Sequence, residues 1–140
     1  MLKLYAGPLS LFSRKVEIAL REKGIPYERE FAAFTQERGY APKHPAVLAH
    51  NPKHQVPVLI DGDLALFDST VIFEYLDELY PEPPLYPVTP QDRARCRLLE
   101  LDGDEILFAP VRNLLFRTEP PDIDPEKHAA RVAAGKEAEG

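Results

Sequence analysis

The chain has 140 residues, 44% hydrophobic and 29% charged, with a formal net charge of −6: enough for one compact domain and part of a second. The acidic balance and the lack of a basic run interleaved with aromatics argue against a nucleic-acid surface, and no apolar segment is long enough to span a membrane. The N-terminal "MLKLYAGPLS" does not read as a signal peptide, and the single cysteine, Cys96, makes a reduced, cytoplasmic setting the default.

"LKLYA" at 2–6 reads as a strand, and Gly7–Pro8 turn the chain. From Ser13 to Lys23 the pattern is helical. Val16, Ala19 and Leu20 recur at i, i+3, i+4, with Arg14, Lys15, Glu17, Arg21 and Glu22 on the wet side. Gly24 ends that helix. "IPYEREF" follows as a second strand, parallel to the first. Residues 32–54 carry no clean period and read as loop, with a short irregular helix around Ala46–His50. "VPVLI" is a buried strand, "DGD" a hairpin turn, and "LALF" the return strand. Asp68–Ser69 open the clearest helix, with Ile72, Tyr75, Leu76, Leu79 and Tyr80 inward and Glu74, Asp77 and Glu78 opposite.

"PEPPLYPVTPQD" holds five prolines in twelve residues and reads as a stiff linker. Beyond it a helical stretch places Leu98, Leu99, Leu107, Val111, Leu114 and Leu115 on an apolar side, to be bent or broken at Gly103 and Pro110. Asp124–Pro125 has the form of an N-cap followed by an N1 proline. The expected fold is α/β: a β-α-β-β-β-α domain over 1–81, a linker over 82–90, and a partial all-α domain over 91–140.

Three stretches, "LKLYAGPLSLFSRKVEIALREKGIPYE", "NPKHQVPVLIDG" and "LALFDSTVIFEYLDELYP", in this order and spacing, resemble the N-terminal, thioredoxin-like domain of the cytosolic glutathione transferases. The resemblance implies a protein that binds glutathione and activates its thiol for attack on a small electrophile, with homodimers common in the family. It implies a cis bond before Pro57, leaving the N–H and C=O of Val56 to pair with the glutathione backbone. Asp68 and Ser69 would hold the γ-glutamyl end, Asp68 at its ammonium and Ser69 at its carboxylate. His54 and Gln55 would lie near the glycine carboxylate. Asp68 and Ser69 also fit a plain helix cap.

Ser10 and Ser13 stand where a C-x-x-C redox pair would stand, so dithiol exchange is excluded there. The resemblance makes Ser10 the hydrogen-bond donor to the glutathione sulfur, and places Ser13 in the same site or in the first helical turn. Lowering a thiol from about 8.5 by about two units needs about 2.7 kcal/mol. One hydrogen bond to a charged group supplies about 1.5–3 kcal/mol, and a helix N-terminus about 0.3–1 kcal/mol. The two suffice without metal or base. Tyr5 is a rival donor, because other classes of the family use a tyrosine near the end of the first strand. His44, His50 and His54 lie close in sequence, but Pro52 interrupts them and no cysteine is near, so no metal site is expected.

"FDSTVIFEYLDELYPEPPLYPVTPQDRAR" also resembles the bacterial stringent starvation proteins, which share the fold and bind RNA polymerase. That resemblance implies a non-catalytic regulator. The serine position is not kept as serine there, so Ser10 favours the enzyme-like expectation.

Overall fold

The computed structural model describes residues 1–35, 38–114 and 124–139. It divides into two units, Met1–Pro87 and Val88–Gly140. The first holds β1 (Leu2–Ala6), α1 (Leu11–Glu22), β2 (Tyr27–Phe31), α2 (Pro45–His50), β3 (Val58–Asp61), β4 (Leu64–Phe67) and α3 (Ser69–Leu79). The sheet order is β2-β1-β3-β4. β1 and β2 are parallel, with Leu2 opposite Tyr27, as expected of a strand-helix-strand unit. β3 runs antiparallel to β1 and to β4. This is the thioredoxin-like arrangement.

Period-two burial in β1 sends Leu2, Leu4 and Ala6 to one face. They meet Val16, Ala19 and Leu20 of α1, Leu59 of β3, and Ile72 and Leu76 of α3. Each large side chain removed from water there contributes about 1.5–3 kcal/mol, so a one-residue slip of β1 would forfeit several such terms at once. α1 ends in a Schellman turn: Gly24 takes φ +63, Ile25 N–H donates to Leu20 O at 2.9 Å, and Gly24 N–H to Arg21 O at 3.0 Å. Ile25 then closes the core beneath it. The strand around "VPVLI" is shorter than expected and begins only at Val58.

Two carboxylates assigned to wet faces are buried instead. Glu17 is 1% exposed, and its carboxylate takes hydrogen bonds from Arg14 and Arg29. Asp77 is also buried. It pairs at 2.8 Å with Lys23 Nζ, whose side chain is fully enclosed. Lys23 Nζ also donates to Tyr80 O at 2.6 Å and Pro83 O at 2.8 Å. Asp77 accepts the Leu85 N–H at 2.8 Å. The lysine thus ties α1 to the C-terminal end of α3 and to the proline-rich segment. Leu79 and Tyr80, expected inward, are exposed because the helix ends there.

The proline-rich segment is not wholly a free linker. Tyr86 is buried and packs edge-on against Phe73, centroids 5.3 Å apart. Residues up to Pro87 therefore belong with the first unit.

The second unit contains α4 (Pro90–Leu101), a π-helical turn (Asp102–Leu107), α5 (Phe108–Asn113) and α6 (Pro125–Glu139). Thr89 caps α4, its Oγ accepting Asp92 N–H at 3.2 Å. Gly103 and Pro110 do not break the helix. The π turn spans the glycine and precedes the proline, which lies inside α5. Leu98, Leu99, Leu107 and Val111 are exposed, not buried as their spacing suggested; Leu115 lies outside the described residues. Asp124 Oδ1 accepts Glu126 and Lys127 N–H at 2.9 and 3.1 Å, at the start of α6.

Burial by itself would raise the Asp77 carboxyl, but Lys23 and the Leu85 and Tyr86 N–H groups outweigh it and hold it below its usual 3.8. Its contribution to stability is complete above that value and is lost as pH falls through the lower folded one. Lys23→Ala strands the carboxylate and should cost about 3 kcal/mol at neutral pH in urea unfolding. The deficit against wild type should shrink in acid; a loss equal at pH 7 and pH 3 would contradict this account.

Candidate functional site

Strand register decides which loops meet. Tyr5 of β1 lies opposite Val58 of β3, and Val58 lies opposite Phe67 of β4. The turn after β1, the loop before β3 and the start of α3 therefore gather at one end of the sheet. In parallel β2, Phe31 lies beside Ala6, so the segment leaving β2 starts from that end too.

Ser10 is the N-cap of α1, with φ −82 and ψ 117. Its Oγ accepts the Ser13 N–H at 3.1 Å. Accepting uses a lone pair and leaves the hydroxyl hydrogen to donate, and no group among the described residues takes it. The cap role and a donor role are therefore compatible. Ser13 lies beneath the turn rather than on it. It is 1% exposed, and its Oγ accepts the Gly7 N–H at 2.9 Å.

Gly7 leaves no room for a side chain. A Cβ there would stand 2.4 Å from Tyr40 Oη and 2.8 Å from Val56 Cγ2. Tyr40 Oη in turn accepts the Leu9 N–H at 3.1 Å. Burial pushes the Tyr40 phenol up, with the Leu9 N–H partly opposing, so it stays neutral in ordinary buffers.

The Val56–Pro57 bond is cis. The N–H and C=O of Val56 take no part in the backbone hydrogen bonds among the described residues. Asn51, buried, shapes this loop from within. Its Nδ2 donates to Gln55 O at 2.7 Å, and its Oδ1 accepts Lys53 N–H at 2.8 Å. His54 N–H donates to Asn51 O at 2.8 Å. His54 and Gln55 are exposed.

Asp68 caps α3, its Oδ1 accepting Thr70 N–H at 3.1 Å. Ser69 follows at the first helical position, 5% exposed, its hydroxyl without a partner among the described residues. Lys53 Nζ lies 3.7 Å from Asp68 Oδ2 and joins the two loops. Among the described non-glycine residues, only His54 (φ 54) and Asp68 (φ 75) have positive φ. Each such residue costs about 1–3 kcal/mol, and both border this end of the sheet.

Tyr5 points elsewhere. Its ring lies 5.0 Å from that of His44 and 5.2 Å from Lys3 Nζ. His44 is held by Glu30 at 2.9 Å, and its Nδ1 caps α2 by accepting Ala46 N–H at 3.2 Å. Among the described residues no three His, Cys, Asp or Glu side chains form a metal-binding group.

Sequence reasoning missed Asn51, Lys53 and Tyr40. Asn-Pro was a visible turn signal for the first; an aromatic in a polar, proline-rich loop was the signal for the last. Asn51→Ala removes two hydrogen bonds from a buried position and should lower stability by about 2 kcal/mol. A thermal melt reads this, and an unchanged midpoint would mean the loop holds its shape without Asn51.

Residues 4–84 match the family described as "Glutathione S-transferase, N-terminal domain". A "Stringent starvation protein A homolog" of Coxiella burnetii is 44% identical over 101 residues, which cover 71% of this chain and 44% of that protein. "Glutathione S-transferase U1" of Arabidopsis thaliana is 37% identical over 117 residues, 82% of this chain and 48% of that one. The chain thus spans less than half the length of either relative. A glutathione S-transferase of Methylobacillus flagellatus, solved with glutathione bound, superposes with a TM-score of 0.69 at 27% identity, covering 99% of this chain and 66% of that one.

Proposed function

Because the chain belongs to the glutathione S-transferase family through its N-terminal domain, we propose that this end of the sheet binds glutathione and that Ser10 donates its hydroxyl hydrogen to the glutathione sulfur. The observation that carries the reading is the Ser10 hydroxyl at the tip of α1, its oxygen already fixed by Ser13 N–H and its hydrogen uncommitted. A thiolate placed there gains a charge-assisted hydrogen bond and the positive end of a twelve-residue helix. The unpaired Val56 backbone supplies a strand edge for the cysteinyl peptide unit. Asp68 and Ser69 receive the γ-glutamyl ammonium and carboxylate, and His54 and Gln55 flank the glycyl end. Ser13 supports the turn from below.

In the reaction, the thiol proton passes to solvent. The thiolate then attacks an electrophilic carbon, whose bond to its leaving group breaks. Residues 1–81 are the glutathione-binding domain and 91–140 part of a helical domain. A cytoplasmic setting and a homodimer belong to the same proposal.

A second reading rests on the 44% identity to a stringent starvation protein A homolog. On that reading the chain is a non-catalytic regulator that engages RNA polymerase. Calorimetric titration with glutathione, followed by thiolate absorbance against pH, separates the two. The enzyme-like reading expects binding and a bound thiol about two units below its free value of about 8.5. Ser10→Ala should retain the peptide but return at least half of that shift. Absence of binding at millimolar glutathione would overturn this reading and leave the regulator.

A further inference from the structure

We infer that Tyr40 is a positioning residue for Ser10, setting the acidity of the bound thiol through the turn that carries the serine. The inference rests on the glutathione-binding reading above.

The geometry is specific. Tyr40 leaves the segment between β2 and α2 and reaches back to the β1–α1 turn. Its Oη accepts the Leu9 N–H at 3.1 Å, one residue before Ser10. The same oxygen lies where a Cβ on Gly7 would be only 2.4 Å away. So it rests directly on the Gly7–Pro8–Leu9 backbone. Val56 Cγ2 crowds the same point, 2.8 Å from that Cβ position. The ring is buttressed by Phe34, centroids 4.8 Å apart. One phenol therefore spans the serine turn and the loop that presents the Val56 peptide edge.

Without it the turn keeps two hydrogen bonds, Gly7 N–H to Ser13 Oγ and Ser10 N–H to Gly7 O. Neither holds Leu9. An amide proton at Leu9 with no acceptor lets the 8–10 backbone rotate, and a donor at Ser10 stabilises a thiolate only when it is aimed. Tyr40→Phe removes the acceptor and keeps the ring, so packing on Phe34 and Gly7 is preserved.

The test is a double-mutant cycle on the bound thiol, read by thiolate absorbance against pH for wild type, Tyr40→Phe, Ser10→Ala and the double variant. Binding of S-methylglutathione and exchange of the Leu9 amide are measured alongside. Tyr40→Phe should move the bound thiol up by at least half a unit and speed Leu9 exchange about fivefold. It should change S-methylglutathione affinity less than twofold, and it should add nothing in the Ser10→Ala background. An unchanged thiol in Tyr40→Phe, or a shift that persists in full without Ser10, overturns the inference while the binding reading stands. No glutathione binding by wild type overturns both, whatever the exchange data show.

Discussion

The closeness of three segments at Gly7 is the constraint on which the candidate site depends. A hydrogen in place of a side chain lets the Tyr40 hydroxyl and the Val56 methyl come within van der Waals reach of the same backbone. Once they are there, Ser13 holds the turn from the core side and Tyr40 holds it from the loop side. Each bond is worth only about 0.5–1.5 kcal/mol net. Their effect is geometric: they leave Ser10 one orientation, at the first turn of a helix whose apolar face is locked in the core.

The other face of the sheet has a different character. Lys3 of β1 pairs with Glu28 at 3.3 Å and Glu30 at 2.8 Å on β2, and Glu30 reaches His44 at the head of α2. The hydrogen bond from Lys3, then that from His44, holds the Glu30 carboxyl below its usual range. These groups are largely exposed, so water screens them and they add little to stability. Their role is to orient α2, which leads into the loop that Asn51 shapes. Tyr5 is occupied in this layer by His44 and Lys3, which leaves the sulfur-donor role to a residue on the turn beyond it.

What was legible in the sequence was local. Period-two and period-3.6 patterns gave β1, β4, α1 and α3, because Leu4, Val16, Leu20, Ile72 and Leu76 are both apolar and correctly spaced. Ser10, Asp68 and Asp124 announced helix starts, since capping needs only the next three residues. Glu17 and Asp77 misled, because polarity says "outside" and their partners, Arg29 and Lys23, lie on other elements. The 32–54 segment has no period, so Tyr40 and Asn51, whose partners are backbone groups, left no spacing to read. The apolar spacing of α4 and α5 was read as core, yet Leu98, Leu99, Leu107 and Val111 stand exposed. Periodicity reports amphipathicity, not what covers it.

The π-helical turn at Asp102–Leu107 changes what that exposed stripe means. A helix that takes up one surplus residue without breaking rotates everything downstream by about 100°. Leu98 and Leu101 on one side of the turn, and Val111 on the other, are therefore out of phase with an ordinary helical wheel. Deleting a single residue between them would let the segment rewind as plain α-helix and swing the downstream side chains to a new azimuth. The turn works as a phase shifter in the rod, and the proline at 110, which lacks an amide hydrogen, sits just past the point where the ladder has already changed step.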